Sequence, residues 1–574
     1  MKSSLKLAAK EMRERRETIL PLLVAAVSLL AYSQFFGLRL AEFDAVAKIV
    51  SHSSVDAAGI LGIFTQPEQH YLLHSENYRP LTSLFLWVVF LLAGMNFAVF
   101  HMAGFFLHAI NSALVFFLAR KLVKDKSGVF SFIAAIAFAL HPINLNSVLF
   151  ASRVHELLLA FSLIASLLTL MKYTETKKCR FYLFSVLFCA IGIFSKEAGS
   201  LIPFILFLYL CVFSRERRFK GVLLRSFRLS LPYFSLILLY FGLMVLALGK
   251  VGGYLATPKQ DLSFIMLSFF GLLVYPIDFL GIDFPVNIIA FFNGTAFNHL
   301  SVIVIFGSGA LALKYLSKAK GNMAAVFLIW CMLVYLAAYS VYGFIAPWYA
   351  YTAVMPFSLL LAILLKRGVE TSDRPYSRIA IPAVSILLIS IVACSPLLTA
   401  YRQPGMAGSI MEDIYNQTVV LAGQLPEGSS ILLVNYPEYM IFPDGGFRYS
   451  INMVNEGSVQ AIIDYYVPGR HLEALSLTGS LIFSKKEDMD ISTYWKRNCV
   501  FVVKNDNVSS FKIYFPSKWK ESGNQTEGII IEPLKSGNTE TIEMWLPNRG
   551  WENESLFVYD GKGVQAIRIA DFCK

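Results

Sequence analysis

The amino-acid sequence predicts a polytopic α-helical membrane protein that ends in a separate extracytoplasmic α/β or β-rich domain. Three observations predict it. The 574-residue chain is 56% hydrophobic but only 16% charged, against roughly 25% charged residues in an ordinary soluble domain. Apolar runs recur from Thr18 to Ala400, several of them near the roughly 20 residues a helix needs to cross a bilayer. After Tyr401 no spanning run remains, and residues 403–574 show strand-like alternation between turn signals.

The first apolar run, Ile19 to Leu38, lacks a small-residue cleavage site and reads as a retained span. Orientation follows from charge. The net charge of +11 could suggest nucleic acid, but 27 of the 50 Lys and Arg residues gather in six short loops between apolar runs. These are Lys2 to Arg16, Arg120 to Lys126, Lys172 to Arg180, Arg215 to Arg228, Lys314 to Lys320 and Lys366 to Arg378. The alternating loops hold only Arg39, Lys48, Arg79, Arg153, Lys196, Lys250 and Lys259. This is the positive-inside asymmetry, so the basic excess marks the cytoplasmic face and not a nucleic-acid partner.

Placing each basic loop inside predicts eleven spans, near 18–38, 100–119, 128–141, 156–171, 181–195, 199–213, 229–248, 299–316, 323–342, 350–365 and 379–400. The N-terminus is then cytoplasmic and the C-terminal domain extracytoplasmic, in a multi-pass plasma-membrane protein. Leu81 to Gly94 follows "NYRP" and is short for a crossing, so it reads as a helix at the outer interface. Leu262 to Leu280 is long enough, but both flanks fit the outer side, which makes it juxtamembrane or re-entrant. Residues 1–402 thus form the membrane domain, with a first outer loop over 39–80, and residues 403–574 the soluble one.

This topology gathers the unusual polar residues on one face: Glu42, Asp44, His74, Glu76, Arg79, His141, Arg153, His155, Glu156, Lys196, Glu197, Asp283 and Tyr349. A transporter would more readily place ionisable groups at mid-bilayer on broken helices. Here they cluster at headgroup level, as a surface reaction site would require. His101 and His108 share one apolar helix and read as packed, satisfied histidines.

In the outer domain, "SSILLVNYP", "GSLIFSKK", "CVFVVKNDN", "FKIYFP", "GIIIEPL", "TIEMWLP" and "SLFVYDGKGVQAIRI" read as strands, the last a hairpin turning at Asp560-Gly561. "SIMEDIYNQTVVLAGQL" reads as an amphipathic helix before them. Cys499 and Cys573 are its two cysteines, and a bridge between them or two free thiols both remain open. No pair of cysteines has CxxC spacing.

Several stretches, in order, resemble one family. "EFD" after the first span resembles the acidic motif of glycosyltransferase-C membrane enzymes. "NYRPLTSL", "FHMAGFFLHAINSALVFFLARKL", "FALHPINLNSVLFASRVHELLLAF", "FSKEAGSLIP", "LLVYPIDFLGIDFPV" and "PWYAYTAVMPFSLLLA" resemble segments of the protein O-mannosyltransferases, nearest the branch that carries tetratricopeptide repeats. No 34-residue repeat period follows the spans, so the resemblance is to prokaryotic-type members without repeats. Phe43 separates two acids that are often adjacent in the family, Trp348 stands where the family has Arg, and "ASRVHE" lacks the glycine of Ser-Gly-Arg.

The resemblance implies transfer of a sugar from a polyprenyl-phosphate donor to an acceptor hydroxyl of a protein or glycan, usually with inversion. Such chemistry needs a carboxylate to take the acceptor proton and cations for the leaving phosphate. Asp44 is then the expected base, with Glu42 orienting it or holding an acceptor; alternatively both acids are solvated loop residues or pair with Arg39 and Lys48. Arg79, Arg153 and Lys196 are the expected phosphate-binding cations, against local pairing of Lys196 with Glu197 or its snorkelling to the interface, and pairing of Arg153 with Glu156. His141, Glu156, Glu197, Asp283 and Tyr349 are further outer-face candidates. Two acids near histidines could hold a divalent cation, but a monophosphate flanked by Arg and Lys requires none, so no essential metal is expected. A lipid-linked glycan flippase and a catalytically silent relative are the competing readings. Site-specific labelling in intact cells checks the topology: Lys124, Lys177, Arg217, Lys318 and Arg374 should be protected as cytoplasmic, and positions after 403 should react. Outside labelling at 124 would reverse the assignment of the site-bearing face.

Overall fold

The computed structural model describes residues 2–39, 41–51, 59–65, 77–214, 218–252, 323–340, 346–371, 402–441 and 451–483, with short strands between 501 and 568 and a few isolated residues elsewhere. The predicted spans 299–316 and 379–400, the segment Leu262 to Leu280, Cys499 and Cys573 lie wholly or mostly outside them. The chain forms two compact units. One comprises Met1–Gly37, Val55–Glu68 and Ser75–Tyr401, the other Leu38–Ser54, Gln69–His74 and Arg402–Lys574.

Chain order begins with helix α1 (Lys2–Tyr32) and the short α2 (Phe43–Ser51). There follow α3 (Pro80–Ala93), α4 (Phe97–Leu122), α5 (Val129–Ala139), α6 (Leu145–Val148), α7 (Val154–Thr176), α8 (Cys179–Ser195), α9 (Ile202–Val212) and α10 (Phe219–Leu248). The membrane unit closes with α11 (Met323–Ser340) and α12 (Tyr351–Glu370). Among the described residues, five helical stretches are long and apolar enough to cross a membrane, and α5 with the segment Pro142–Val148 makes a sixth if that pair, bent by 43°, is one span. At 14 residues, or about 21 Å of helix, α3 falls short of a crossing. It packs against α4 and α8.

Polar side chains inside this apolar bundle are spent on helix contacts. Ser166 and Ser185 exchange hydroxyl-to-carbonyl bonds between α7 and α8, and Tyr233 of α10 donates to Ser185 Oγ at 2.9 Å. His108 of α4 lies 3.0 Å from the Ala139 carbonyl through Nε2 and 2.7 Å from the Tyr351 hydroxyl through Nδ1. A carbonyl only accepts, so Nε2 carries the proton and Nδ1 accepts from Tyr351. The histidine is a satisfied packing residue, as the sequence suggested.

The loops with the predicted cytoplasmic charges are tied to one another. Arg120 donates to Glu17 and to the Asp125 carbonyl, Lys121 pairs with Glu175, and Lys366 donates to the carbonyls of Val123 and Lys124. The start of the first apolar stretch and the C-terminal ends of α4, α7 and α12 therefore meet. Asp125 caps the entry to α5 by accepting from the backbone and hydroxyl of both Ser127 and Ser131. Burial alone would raise its carboxyl, but these bonds outweigh burial and hold it below the ordinary range.

A close crossing shapes the opposite connection, between α8 and α9. A Cβ on Gly199 would lie 2.2 Å from the Gly192 carbonyl oxygen, and one on Gly192 would lie 2.4 Å from Ile202 Cδ1. Only glycine lets the turn fold back onto α8.

The C-terminal unit is built from α13 (Arg402–Ala422), strand β1 (Ser430–Ile441), β2 (Ile451–Asn452), α14 (Glu456–Tyr466) and β3 (Glu473–Phe483). Strands β4 (Phe501–Val502), β5 (Phe511–Phe515), β6 (Ile530–Ser536), β7 (Thr539–Trp545), β8 (Glu554–Tyr559) and β9 (Val564–Arg568) complete it. Ser430 to Val434 of β1 run parallel to both β3 and β8, while β9 pairs antiparallel with β8 and β2 with the end of β1. A second sheet, antiparallel throughout, has the order β4-β5-β7-β6. Each strand-like run of the sequence overlaps a strand within the described residues. Helix α14 was not anticipated; its signal is the reciprocal cap between Asn455 and Ser458.

Residues 38–54 are expected from sequence to open a membrane-domain loop over 39–80, but they group with the C-terminal unit. The physical reason is α2, in which Ala45 to Ser51 are all buried and which packs against α14.

Gly199→Ala should cost roughly 1–3 kcal/mol, the usual range for overpacking, read as a lower thermal midpoint in detergent. An unchanged midpoint would show that the α8–α9 turn has slack.

Candidate functional site

Four ionisable side chains from three separate segments converge in the membrane unit. Arg79 precedes α3, whose first residue is Pro80; Glu156 is in the first turn of α7; Lys196 and Glu197 follow α8. Lys196 is extended, at φ −159° and ψ 144°, and Glu197 opens the 3₁₀ turn Glu197–Leu201. In extended backbone, successive side chains diverge. Lys196 accordingly pairs with Glu156, while Glu197 receives Arg79.

The Arg79–Glu197 contact is bidentate. Nε donates to Oε2 at 2.9 Å and Nη2 to Oε1 at 2.7 Å, with both side chains buried. Planar matching of this kind is what guanidinium offers and ammonium does not. Tyr339 of α11 donates to Glu156 Oε2 at 3.1 Å, and His155 Nε2 lies 3.8 Å from Glu156 Oε1. Tyr339 stacks on Tyr349 with centroids 4.6 Å apart and planes 9° off parallel, and Lys196 Nζ lies 4.9 Å from each ring centre. Glu156 at a helix N-terminus is also favoured by the helix dipole.

Arg153 is held differently. Its guanidinium carbon lies 3.9 Å from the Phe150 ring centre and 3.7 Å from that of Trp348, and Nη1 donates to the Asn146 carbonyl at 2.7 Å. Ser147 Oγ in turn donates to the Trp348 carbonyl at 3.3 Å. Cation–π contacts of this kind are each worth roughly 0.5–2 kcal/mol, more when desolvated.

The pairings differ in detail from those considered from sequence. Lys196 takes Glu156 instead of adjacent Glu197. Arg153 meets a carbonyl and two rings, while Glu156 is engaged by Lys196 and Tyr339. His141 caps the 3₁₀ turn Pro142–Asn144, its Nδ1 accepting from the Ile143 backbone at 3.3 Å. Tyr349 belongs to the aromatic shelf under Lys196. Tyr339, Phe150 and Trp348 were not among the sequence candidates, because an aromatic residue in an apolar stretch carries no signal of its own. Asp283, His74 and Glu76 lie outside the described residues.

In the C-terminal unit, the Glu42 carbonyl accepts from the backbone of Ala45 at 2.9 Å and Val46 at 3.1 Å, which opens α2. Asp44 lies in the first turn of that helix, where negative charge is favoured. Glu42 and Lys48 are buried. Arg39 Nη1 pairs with Glu412 at 2.9 Å, an exposed contact. Among the described residues no cluster of three His, Cys, Asp or Glu side chains could hold a metal ion.

Apolar helices of membrane-spanning length and a buried charge cluster define the chain as an integral-membrane protein with ionisable chemistry beside its helix ends. A family model, dolichyl-phosphate-mannose-protein mannosyltransferase, matches residues 76–248. That range contains Arg79, His141, Arg153, Glu156, Lys196 and Glu197. Over 167 residues the chain is 29% identical to a protein O-mannosyl-transferase of Caenorhabditis elegans, covering 27% of this chain and 23% of that protein. The resemblance seen in the sequence motifs is thus to glycosyltransferases, and it holds over this segment. Among solved structures, the Archaeoglobus fulgidus oligosaccharyltransferase tethered to an acceptor peptide aligns with TM-score 0.47 and 13% identity over 80% of this chain and 64% of that one. ArnT from Cupriavidus metallidurans bound to undecaprenyl phosphate aligns with TM-score 0.45 and 11% identity over 91% and 97%.

Glu197→Ala should leave the Arg79 guanidinium buried without its bidentate carboxylate and destabilise the protein by about 3–5 kcal/mol. Thermal unfolding in detergent measures it, and Arg79→Leu combined with Glu197→Ala should recover much of the loss. A double variant no better than Glu197→Ala alone would mean the pair is not an independent unit.

Proposed function

We propose that this protein is an integral-membrane glycosyltransferase that moves a sugar from a polyprenyl-phosphate carrier to an acceptor hydroxyl of a protein or glycan on the extracytoplasmic side. The reading is carried by the mannosyltransferase match over residues 76–248, which takes in the segments contributing both buried ion pairs. The acceptor oxygen bonds to the anomeric carbon from the side opposite the phosphate, so configuration inverts. The bond from that carbon to the phosphate oxygen breaks, and the lipid monophosphate leaves with the bonding pair. Asp44 takes the hydroxyl proton, with Glu42 orienting the acid. Fixed cations stabilise the leaving phosphate. Arg153 is the foremost of them, because two rings hold its guanidinium in place, and Lys196 is the second. Arg79 holds Glu197 and acts through the fold. No divalent cation is required for this leaving group. The enzyme would be a multi-pass plasma-membrane protein with its N-terminus in the cytoplasm.

Single-turnover sugar transfer by purified protein, with a panel of polyprenyl-phosphate sugars, tests the proposal. General base catalysis supplies a factor of roughly 100 to 10,000, so Asp44→Asn should lose at least that much while donor binding survives. Glu42→Gln should lose less. Full transfer by both variants would remove the base assignment, and wild-type turnover by Asp44→Asn with a dead Glu42→Gln would exchange the two roles.

A further inference from the structure

The acids proposed to do the chemistry follow the first membrane helix in sequence, yet their anchors come from the other end of the chain. Arg39, three residues before Glu42, pairs with Glu412 of α13 at 2.9 Å. The carbonyl of Ala41, adjacent to Glu42, receives the hydroxyl of Tyr415 at 3.4 Å, and that hydroxyl also faces the Met453 carbonyl at 3.5 Å. Beyond Asp44, helix α2 packs against α14, in which Val459, Ile462 and Ile463 are buried. The two acids are therefore bracketed on both sides by contacts to residues 402–466, and residues 38–54 form part of the same compact unit. An exposed pair such as Arg39–Glu412 contributes little on its own. The buried helix packing and the buried Tyr415 add to the fixing.

We propose that α13 and α14 of the C-terminal unit position the acid helix for catalysis, with Tyr415 and Ile462 as positioning residues. This rests on the reading of Asp44 as the base. The C-terminal unit is then part of the reaction machinery. A displacement of the base by about 1 Å can cost roughly a hundredfold in rate, so loosening α14 should act on turnover. It should leave use of the donor alone, because Arg153 and Lys196 belong to the other unit.

The experiment uses the full chain with Tyr415→Phe, Ile462→Ala and Asp44→Asn. Hydrogen–deuterium exchange is followed on the peptide covering 41–51, beside kcat and KM for the donor. Ile462→Ala should speed exchange of that peptide at least tenfold, leave peptides from α4 and α7 unchanged, and lower kcat by roughly 10- to 100-fold with donor KM within twofold. Tyr415→Phe, a gentler change that keeps the ring, should move the same readouts in the same direction by less. Unchanged exchange over 41–51 in both variants overturns the proposal. So does faster exchange with wild-type kcat when Asp44→Asn is inactive, and in that case the base assignment stands. Wild-type transfer by Asp44→Asn overturns the base assignment and this proposal together.

Discussion

Two crossed ion pairs are the constraint around which the membrane unit is arranged. An isolated charge in an apolar interior is far too costly to hold, so the fold brings Arg79, Glu156, Lys196 and Glu197 from three separate segments to matching partners. The crossing is what ties these segments together. Adjacent residues 196 and 197 reach apart, one to the start of α7 and the other to the residue preceding α3. Had Lys196 paired with adjacent Glu197, that pair would have tied no segment to another. The Gly192–Gly199 approach serves the same end, because it lets the turn carrying both charges fold tightly onto α8.

Aromatic rings complete what the carboxylates begin. Tyr339 and Tyr349 form a stacked shelf near Lys196, and Phe150 and Trp348 pack against Arg153. Trp348 stands where the family resembled in sequence has arginine, and on sequence alone it reads as the loss of a phosphate-binding cation. In the structure that position supplies a ring that holds another cation in place. The guanidinium of Arg153 is thereby held between two rings and the Asn146 carbonyl.

How much of this was legible depends on the range of the interaction. Bilayer-spanning runs and charge asymmetry depend on composition over about twenty residues, so the helical class was readable. Strands β1 and β5 to β9 were readable for the same reason, through period-two alternation and turn residues. The membership of the cluster was also visible, since Arg153, Glu156, Lys196 and Glu197 are conspicuous in apolar surroundings. Its wiring was not. Lys196 is one residue from Glu197 and forty from Glu156, and the choice of the distant acid follows from the extended backbone at 196, which no local pattern announces. Helix α14 was missed because its eleven residues are a mixture of small, polar and apolar types whose only clear mark is the cap at Asn455.

The grouping of residues 38–54 with the C-terminal unit was the least legible feature, and it bears most on why acids are tolerated there. Beside a bilayer, a carboxylate must be solvated or matched. Helix α2 adds a further contribution. Its N-terminal turn receives Asp44 at the end of the helix where negative charge is favoured, and Ala45 to Ser51 are buried within the C-terminal unit. Backbone packing of the helix thereby contributes to placing the acid. For the base role proposed for Asp44 this distinction matters. A carboxylate held in place only by a cation gives up basicity for position, because the neighbouring positive charge favours its ionised form. One carried on an anchored helix has its position fixed by contacts that are remote from the carboxyl itself. The C-terminal unit, to which the helix belongs, supplies such contacts from its own buried apolar residues.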